Sequence, residues 1–456
     1  MASQKDLGNS VRNIGSRLEL FIDDWLIAET GNVELRLHNP VPQEVSIFFN
    51  QPWEGNTSGY VTVFKDDGFF RMYYRGSNHD LETGEATHPE FTCYAESVDG
   101  VNWVKPQLSL FEFNGSKQNN IVWSGVGTHN FTPFRDSNPN CQREESYKAL
   151  GVGDGGLYAF KSPDGFHWQL MSSRPVITKG AFDSQNLAFW DTVRKRYVAF
   201  FRGWRDGVRD ILTCFSVDFV NWTEPEWLDY GEAPCEHLYT NAVTPYFRAP
   251  YVFLGFPMRF IPERVKTPHR YKGVSDTVFM SSRDGLHWRR WTEAFIRPGP
   301  MPECWINRNN MTAWGILVTK PRLTNASDDL SLYSSEGYYT SGNRLRRFTL
   351  RIDGFVFLHA PYSGGELVTR PLVFEGERLW LNYSTSAAGG VMVEVLDKDG
   401  SPIPGFTMEE CEELYGDEIE GEVCWKSGSD ISRLSGSVVH LRLRMRDADV
   451  YAFKTC

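Results

Sequence analysis

The sequence has no apolar run approaching the roughly 20 residues of a membrane span, no Cys-x-x-Cys pair and no surplus of basic side chains. Each absence removes a class of protein. The eight cysteines are scattered over 456 residues with no zinc-like spacing, so zinc ribbons and fingers are excluded and mostly reduced, buried thiols are expected. Cys411 and Cys424 are the one pair close enough in sequence to suggest a disulfide. Lys and Arg number 47 against 58 Asp and Glu, a formal charge of −11. Nucleic acid and anionic membrane faces both call for clustered cations, so neither is an expected partner. The opening stretch MASQKDLGNSVRNIGSRLELF lacks the roughly 7–15 apolar residues at the heart of a secretory signal. The expectation is a cytoplasmic protein, or a secreted one whose signal has been removed. Helix signals are nearly absent too.

What the chain has in quantity is aromatic residues, glycine and proline: 31 Phe, 19 Tyr, 15 Trp, 40 Gly and 24 Pro. That mixture suits a large β core with many tight turns, or aromatic platforms for a ligand. It also repeats itself. SVDGVNW at 97–103, SPDGFHW at 162–168, SVDFVNW at 216–222 and SRDGLHW at 282–288 share one pattern, and each follows a short apolar strand: FTCYAE, GLYAFK, ILTCF and DTVFM. In S-x-D-G-x-x-W the Ser and Asp can hold backbone amides of a tight turn while Gly takes a positive φ. The Trp then covers the hairpin. The phrase therefore reads as structural, a staple between the outer strands of a repeated unit.

Upstream of the hairpins lie further strand-like runs. GYVTVFKD and FFRMYYRG precede the first, NLAFWD and RYVAFFRG the third, NAVTPYF and YVFLGFPMRF the fourth. A fifth unit lacks the phrase but keeps the strands, in INRNNMTAWGILVT, EGYYTS and RLRRFTLRIDGFVFL. Four antiparallel strands per unit, repeated radially, predict an all-β fold with a five-bladed β-propeller. LELFIDDWLIAE, before the first unit, is expected to close the ring on the last blade. After about residue 360 the texture changes to strictly alternating strands, LWLNYS, VMVEVLD and HLRLRMRDADVYAF. There Leu441, Leu443 and Met445 face one way while His440, Arg442, Arg444 and Arg446 face the other. This predicts a C-terminal β-sandwich. The expected division is 1–40 as N-terminal segment and ring-closing strand, 41–358 as propeller and 359–456 as sandwich.

Ser-x-Asp-x-x-x-Trp hairpins in a five-bladed propeller followed by a β-sandwich resemble glycoside hydrolase families 32 and 43, across roughly residues 40 to 345 and the sandwich in outline. Sialidases carry a similar turn, but with an extra residue between Asp and Gly and with six blades. The catalytic signatures of families 32 and 43 are not present as such, so the resemblance is to a divergent relative. It implies a glycosidase. In family 32 a nucleophile is followed by a stabilising Asp and, about 50 residues later, an acid/base Glu. Asp183 and Glu236 have that order and separation, and Glu54 takes the nucleophile's place as Glu rather than Asp.

Propeller geometry makes its own selection of residues. Inner strands converge on the axis, so the acids just before them line one mouth. These are Glu54 in blade one, Asp183 in blade three, Glu236 in blade four and Glu303 in blade five; blade two offers only His129 and Asn130. Glycoside cleavage needs a carboxylate and a carboxylic acid flanking one bond. Clustered acids also push one another's pKa values apart, which divides acid from base. Glu236 is expected as general acid and Asp183 as transition-state stabiliser, with Glu54 or Glu303 as base or nucleophile. Each acid also has a plainer role open to it, as a solvated loop charge or an arginine's partner. Of Asp23 and Asp24, alternation lets at most one face inward.

Arg75, Arg202, Arg259 and Arg308 sit near apolar strands, where a bare cation is costly. They pair with the acids just named, or they clamp an anionic group. A phosphate would suggest a phosphorylase, as in glycoside hydrolase family 130, and a carboxylate an acidic sugar. Asn130, Asn186, His237 and Tyr239 complete the expected substrate contacts; Trp53, Trp204, Trp305 and Tyr239 are candidate stacking platforms. The expected activity is exo-acting glycoside hydrolysis of an oligosaccharide or glycoside. A phosphorylase or transglycosylase on the same acids and a carbohydrate-binding protein without chemistry are the alternatives. No organic cofactor is expected and no metal-ligating residues are assigned; metal-independent catalysis is the default, and the sequence leaves open both a structural cation on the axis and the oligomeric state.

Overall fold

A computed structural model describes residues 10–456; the first nine residues, which belong to the expected 1–40 segment and to the stretch read for a signal, lie outside the described residues. The chain divides into two units, Pro40–Leu350 and a second formed by residues up to Asn39 together with Arg351–Cys456.

The first unit is the propeller. Blade one consists of Gly59–Asp66, Phe69–Gly76, Phe91–Ser97 and Ile121–Trp123. Blade two is Thr132–Arg135, Tyr147–Gly153, Gly156–Ser162 and Gln169–Leu170. Blade three is Leu187–Asp191, Arg196–Arg205, Val208–Ser216 and Glu226–Trp227. Blade four contains Thr244–Tyr246, Ala249–Gly255, Val274–Ser282 and Arg289–Ile296, and adds the pair His237–Leu238 and Met258–Ile261. Blade five is Leu317–Thr319, Asp329–Glu336 and Arg344–Arg351, completed by Val41–Phe48 from before blade one. The inner strand of blade three is buried on both faces, which is why LAFWD at 187–191 is a near-continuous apolar run with no exposed position.

Each repeated phrase joins the third strand of a blade to the fourth. In the first, Ser97 Oγ accepts from Gly100 N at 2.9 Å, and Asp99 Oδ1 accepts from Val101 N and Asn102 N, both at 2.8 Å. Asp164, Asp218 and Asp284 repeat the arrangement. Gly100, Gly165 and Gly285 take φ of +71°, +82° and +87°. In SVDFVNW the same place falls to Phe219, at φ +67° and fully buried.

Two expectations are corrected. LELFIDDWLIAE does not close the ring: Glu19–Leu20 pairs with Val438–Thr455 and Ile27–Gly31 with Gly365–Thr369, both in the second unit. The strand that closes it is Val41–Phe48, whose half-buried residues zip against Arg344–Arg351. The second strand of blade five is Asp329–Glu336 rather than EGYYTS, and Val356–Ala360 belongs to the second unit. The misplaced ring closure and Val356–Ala360 both involve strands that pair with partners far away in sequence, which periodicity does not encode.

The second unit is the β-sandwich. LWLNYS and VMVEVLD are one long strand, Leu379–Leu396, paired along Val438–Thr455 with a break in register between Thr385 and Gly390. Leu441, Leu443 and Met445 are buried in its core, while Arg444 and Arg446 are exposed. Asp23 and Asp24 lie in this unit, where Asp23 Oδ1 accepts from Trp25 N at 3.1 Å. All eight cysteines are free, Cys411 and Cys424 included.

Candidate active site

Tyrosines and arginines from several strands and loops gather where the inner strand of blade one begins. Tyr60 opens the inner strand of blade one, and its hydroxyl donates to the carbonyl of Asp183 at 3.0 Å, joining blades one and three. Ser184 Oγ donates to the carbonyl of Tyr239 at 2.7 Å, joining blade three to blade four. Three guanidinium groups surround the Tyr239 ring: Arg202 at 4.8 Å, Arg308 at 5.2 Å and Arg209 at 5.3 Å from its centroid. Arg75 lies 4.6 Å from the Tyr60 ring and donates to Thr57 O and Tyr338 Oη, each at 2.8 Å. Arg308 also approaches the Tyr339 ring at 5.8 Å. The chain is bent to achieve this, since Tyr60, Arg308 and Tyr339 hold φ of +52°, +63° and +67°. Such values in non-glycine residues cost energy that the surrounding structure has to offset.

The four acids chosen from the sequence have different fates. Asp183 is 68% exposed and pairs with the buried Arg202. Glu54 is sealed in: its oxygens accept from Tyr74 Oη and Lys105 Nζ, each at 2.6 Å, and its side chain has no exposed surface. A carboxylate so enclosed cannot reach a substrate, and the expected role of base or nucleophile is corrected to a structural ion pair. Glu236 is held by Arg290 at 2.6 Å and Arg259 at 3.2 Å, and Arg259 is bidentate to Asp276. It lines a cleft of about 550 Å³ with Arg259, Arg297 and Trp305. Glu303 pairs with Arg344 at 3.2 Å. Among the described residues, no hydrogen bond or ion pair joins Glu236 or Glu303 to Asp183.

Arg202, Arg308 and Tyr239 therefore come together with Asp183, Arg75 reaches them through Tyr60, and Arg259 stands apart with Glu236. Asn130 and Asn186 are buried and both donate to the carbonyls of Phe182 and Ser184, which shapes the loop carrying Asp183. His237 accepts from the Arg209 amide at 3.1 Å through Nδ1; burial and then Arg209 lower its pKa, so it is neutral near pH 7. Of the proposed platforms, Trp204 is half-exposed with Arg209 at 4.5 Å over its ring. Trp53 donates to Asn120 Oδ1 at 2.6 Å inside blade one.

Sequence reasoning passed over Glu90, Tyr60 and Arg209. Glu90 lies 2.8 Å from His129 Nδ1 and 3.4 Å from Arg75. Burial would raise its pKa, but the hydrogen bond with His129 and the charges of Arg75 and His129 prevail and hold it at about 2. Glu90 ends a loop that precedes a third strand, a place no inner-strand rule reaches. Tyr60 was legible, because it is the second residue of GYVTVFKD, at the same kind of strand start that singles out the acids. Burial would also raise the Tyr239 phenol, but the charges of Arg308 and Arg202 bring it below its ordinary value. Among the described residues no group of three or more His, Cys, Asp or Glu could hold a metal ion.

No family model matches the sequence, and no curated protein matches it. Solved structures similar to the chain include an N-acetylgalactosamine deacetylase from F. plautii in complex with blood group B trisaccharide, 13% identical over 69% of this chain and 94% of that one, TM-score 0.43. The catalytic domain of a family 62 α-L-arabinofuranosidase from Coprinopsis cinerea is 10% identical over 69% of this chain and 97% of that one, TM-score 0.44. A β-1,2-mannobiose phosphorylase from Listeria innocua is 12% identical over 71% of this chain and 98% of that one, TM-score 0.43.

Proposed function

We propose that the chain is a carbohydrate-active enzyme that cleaves a glycosidic bond at the mouth formed by the starts of its inner strands. The observation that carries the reading is Asp183. It is the acid chosen from the sequence that stands open to solvent, at 68% exposure, while its neighbours Arg202, Tyr239 and Tyr60 are buried. An exposed carboxylate among desolvated cations and phenols is an arrangement for acting on a polar ligand, since the fold itself gains little from it.

Cleavage separates charge at the anomeric carbon and needs a proton for the departing oxygen. Asp183 supplies negative charge for an oxocarbenium-like centre or activates the attacking group. Glu90, ionised at neutral pH, adds charge beside Arg75. Tyr60, whose hydroxyl burial keeps protonated, gives its one proton to the Asp183 carbonyl and so positions the loop that carries the carboxylate. The half-exposed Trp204 offers a sugar-stacking face. A mouth ringed by five blades admits a chain end more readily than a chain interior, so the proposed action is exo.

The test is turnover of a panel of aryl glycosides and plant or algal oligosaccharides by wild type and Asp183→Asn, with and without inorganic phosphate. A loss of about 10²–10⁴-fold in kcat/KM is expected for the variant. Equal turnover by both proteins would remove Asp183 from the mechanism. Phosphate-dependent turnover would replace hydrolysis by phosphorolysis.

A further inference from the structure

We infer that this mouth binds the carboxylate of an acidic sugar, a uronic acid residue, through Arg202, Arg209 and Arg308. The inference rests on the glycoside reading above and specifies its substrate.

The first ground is charge. Arg75, Arg202, Arg209 and Arg308 lie around Tyr60 and Tyr239, and the carboxylates paired with them are Asp183 and Glu90, four cations against two anions. Arg209 and Arg308 form no ion pair among the described residues. Their proximity is felt: burial first, then the like charges of Arg202 and Arg308, lower the Arg209 pKa. Gathering unpaired cations out of water is unfavourable unless an anion joins them.

The second ground is unsatisfied donors. Arg202 is 3% exposed, yet its Nε and Nη1 have no acceptor, and neither has the Nε of Arg209 or of Arg308. A buried N–H without an acceptor is uncommon in folded proteins and calls for an explanation. These donors belong to guanidinium groups that lie 4.8, 5.2 and 5.3 Å from one tyrosine ring, and a carboxylate's lone pairs are the acceptors a guanidinium edge fits.

The third ground separates a substrate carboxylate from a free inorganic anion. Arg209 spans the two halves of the mouth, 5.3 Å from the Tyr239 ring and 4.5 Å from the ring of Trp204, which is 52% exposed. An anion attached to a sugar ring uses the guanidinium groups and the aromatic face together, whereas inorganic phosphate uses only the first. The left-handed backbone at Tyr60, Arg308 and Tyr339 holds the cluster ready before any ligand arrives.

The experiment is isothermal titration of the full chain with D-glucuronate, D-galacturonate, D-glucose, D-galactose and inorganic phosphate at low salt. It is repeated on Arg308→Gln and Arg209→Gln, and the melting temperature of each ligand-free protein is recorded. At least one uronate should bind 10-fold or more tightly than its neutral counterpart, and each variant should lose that preference. Because Arg209→Gln removes a like charge that burial and its neighbours disfavour, the ligand-free melting temperature of that variant should hold or rise. Equal binding of uronates and neutral sugars overturns the inference, as does tighter binding of phosphate than of either uronate. A large fall in melting temperature in both variants overturns it too, by making the arginines structural through their ring contacts.

Aryl uronides and aryl glycosides assayed in parallel separate this inference from the one beneath it. Turnover of neutral glycosides without any uronide preference sinks the clamp and leaves glycoside cleavage standing. Uronate binding without turnover of either class leaves the clamp and sinks cleavage.

Discussion

A carboxylate taken out of water must find a cation or give up its charge, and the propeller shows two ways of finding one. Glu54 is closed off with Lys105 and Tyr74. Glu90, with 24% of its side chain exposed, is answered by His129 and Arg75 at the mouth. Its pKa of about 2 lies below the ordinary carboxylate value, so its stabilising contribution is complete above roughly pH 4.5. It is lost as the pH falls from there through about 2. Burial lowers the His129 pKa, so at pH 7 Arg75 is the cation that remains; Glu90→Gln should therefore destabilise the protein by on the order of 1–2 kcal/mol at pH 7, and the gap to wild type should shrink towards pH 3. Urea denaturation of both proteins at the two pH values measures this. A gap that is the same at both would show that packing, and not the ion pair, is what the substitution removes. Phe219 makes a different compromise: it accepts a left-handed backbone that glycine takes in the other three hairpins, and its fully buried ring packs against Phe134, Tyr197 and Trp222 in return.

At the scale of the element, the hairpin phrase explains both where it occurs and where it is missing. It joins third strand to fourth, and blade five has no such connection because its fourth strand, Val41–Phe48, enters from before blade one. The phrase could not have been written a fifth time. Replacing Asp99, Asp164, Asp218 or Asp284 by Ala removes an acceptor for two turn amides and should cost about 1–2 kcal/mol each. Because the four turns lie in separate blades, the losses should add to within about 0.5 kcal/mol in a double variant, by thermal or chemical denaturation. Strong non-additivity would mean that the blades do not stand as separate units. The same local regularity made the strands legible: GYVTVFKD and FFRMYYRG are strands Gly59–Asp66 and Phe69–Gly76 residue for residue. The site was harder to read. Asp183, Arg202 and Arg308 could be picked out from their places near inner strands, but their partners Arg209 and Glu90 come from the starts of third strands, which only folding brings to the mouth. Glu54 failed for the converse reason, since position before a strand does not say which way a side chain turns.

For the whole molecule, the two ends of the chain belong to one unit. Ile27–Gly31 pairs with Gly365–Thr369, and Glu34–Leu37 with Val356–Ala360. A chain stopped after residue 350 would keep the early strands and lose every partner, leaving bare edges that pair indiscriminately. It should aggregate on light scattering and size exclusion, whereas a fragment of 40–350 should remain monodisperse with strand-rich circular dichroism. Aggregation of both would show that the propeller needs the second unit in order to fold. Ring closure also has a cost in time. Gln43 donates to Thr349 across 306 residues of chain, and at about 5–20 residues per second a ribosome makes those residues in roughly 15–60 seconds. For that interval Val41–Phe48 waits as an unpaired edge while four and a half blades are made. The step that makes the propeller a ring is then the last to form, and the newborn chain depends on whatever shields that edge until its partner arrives.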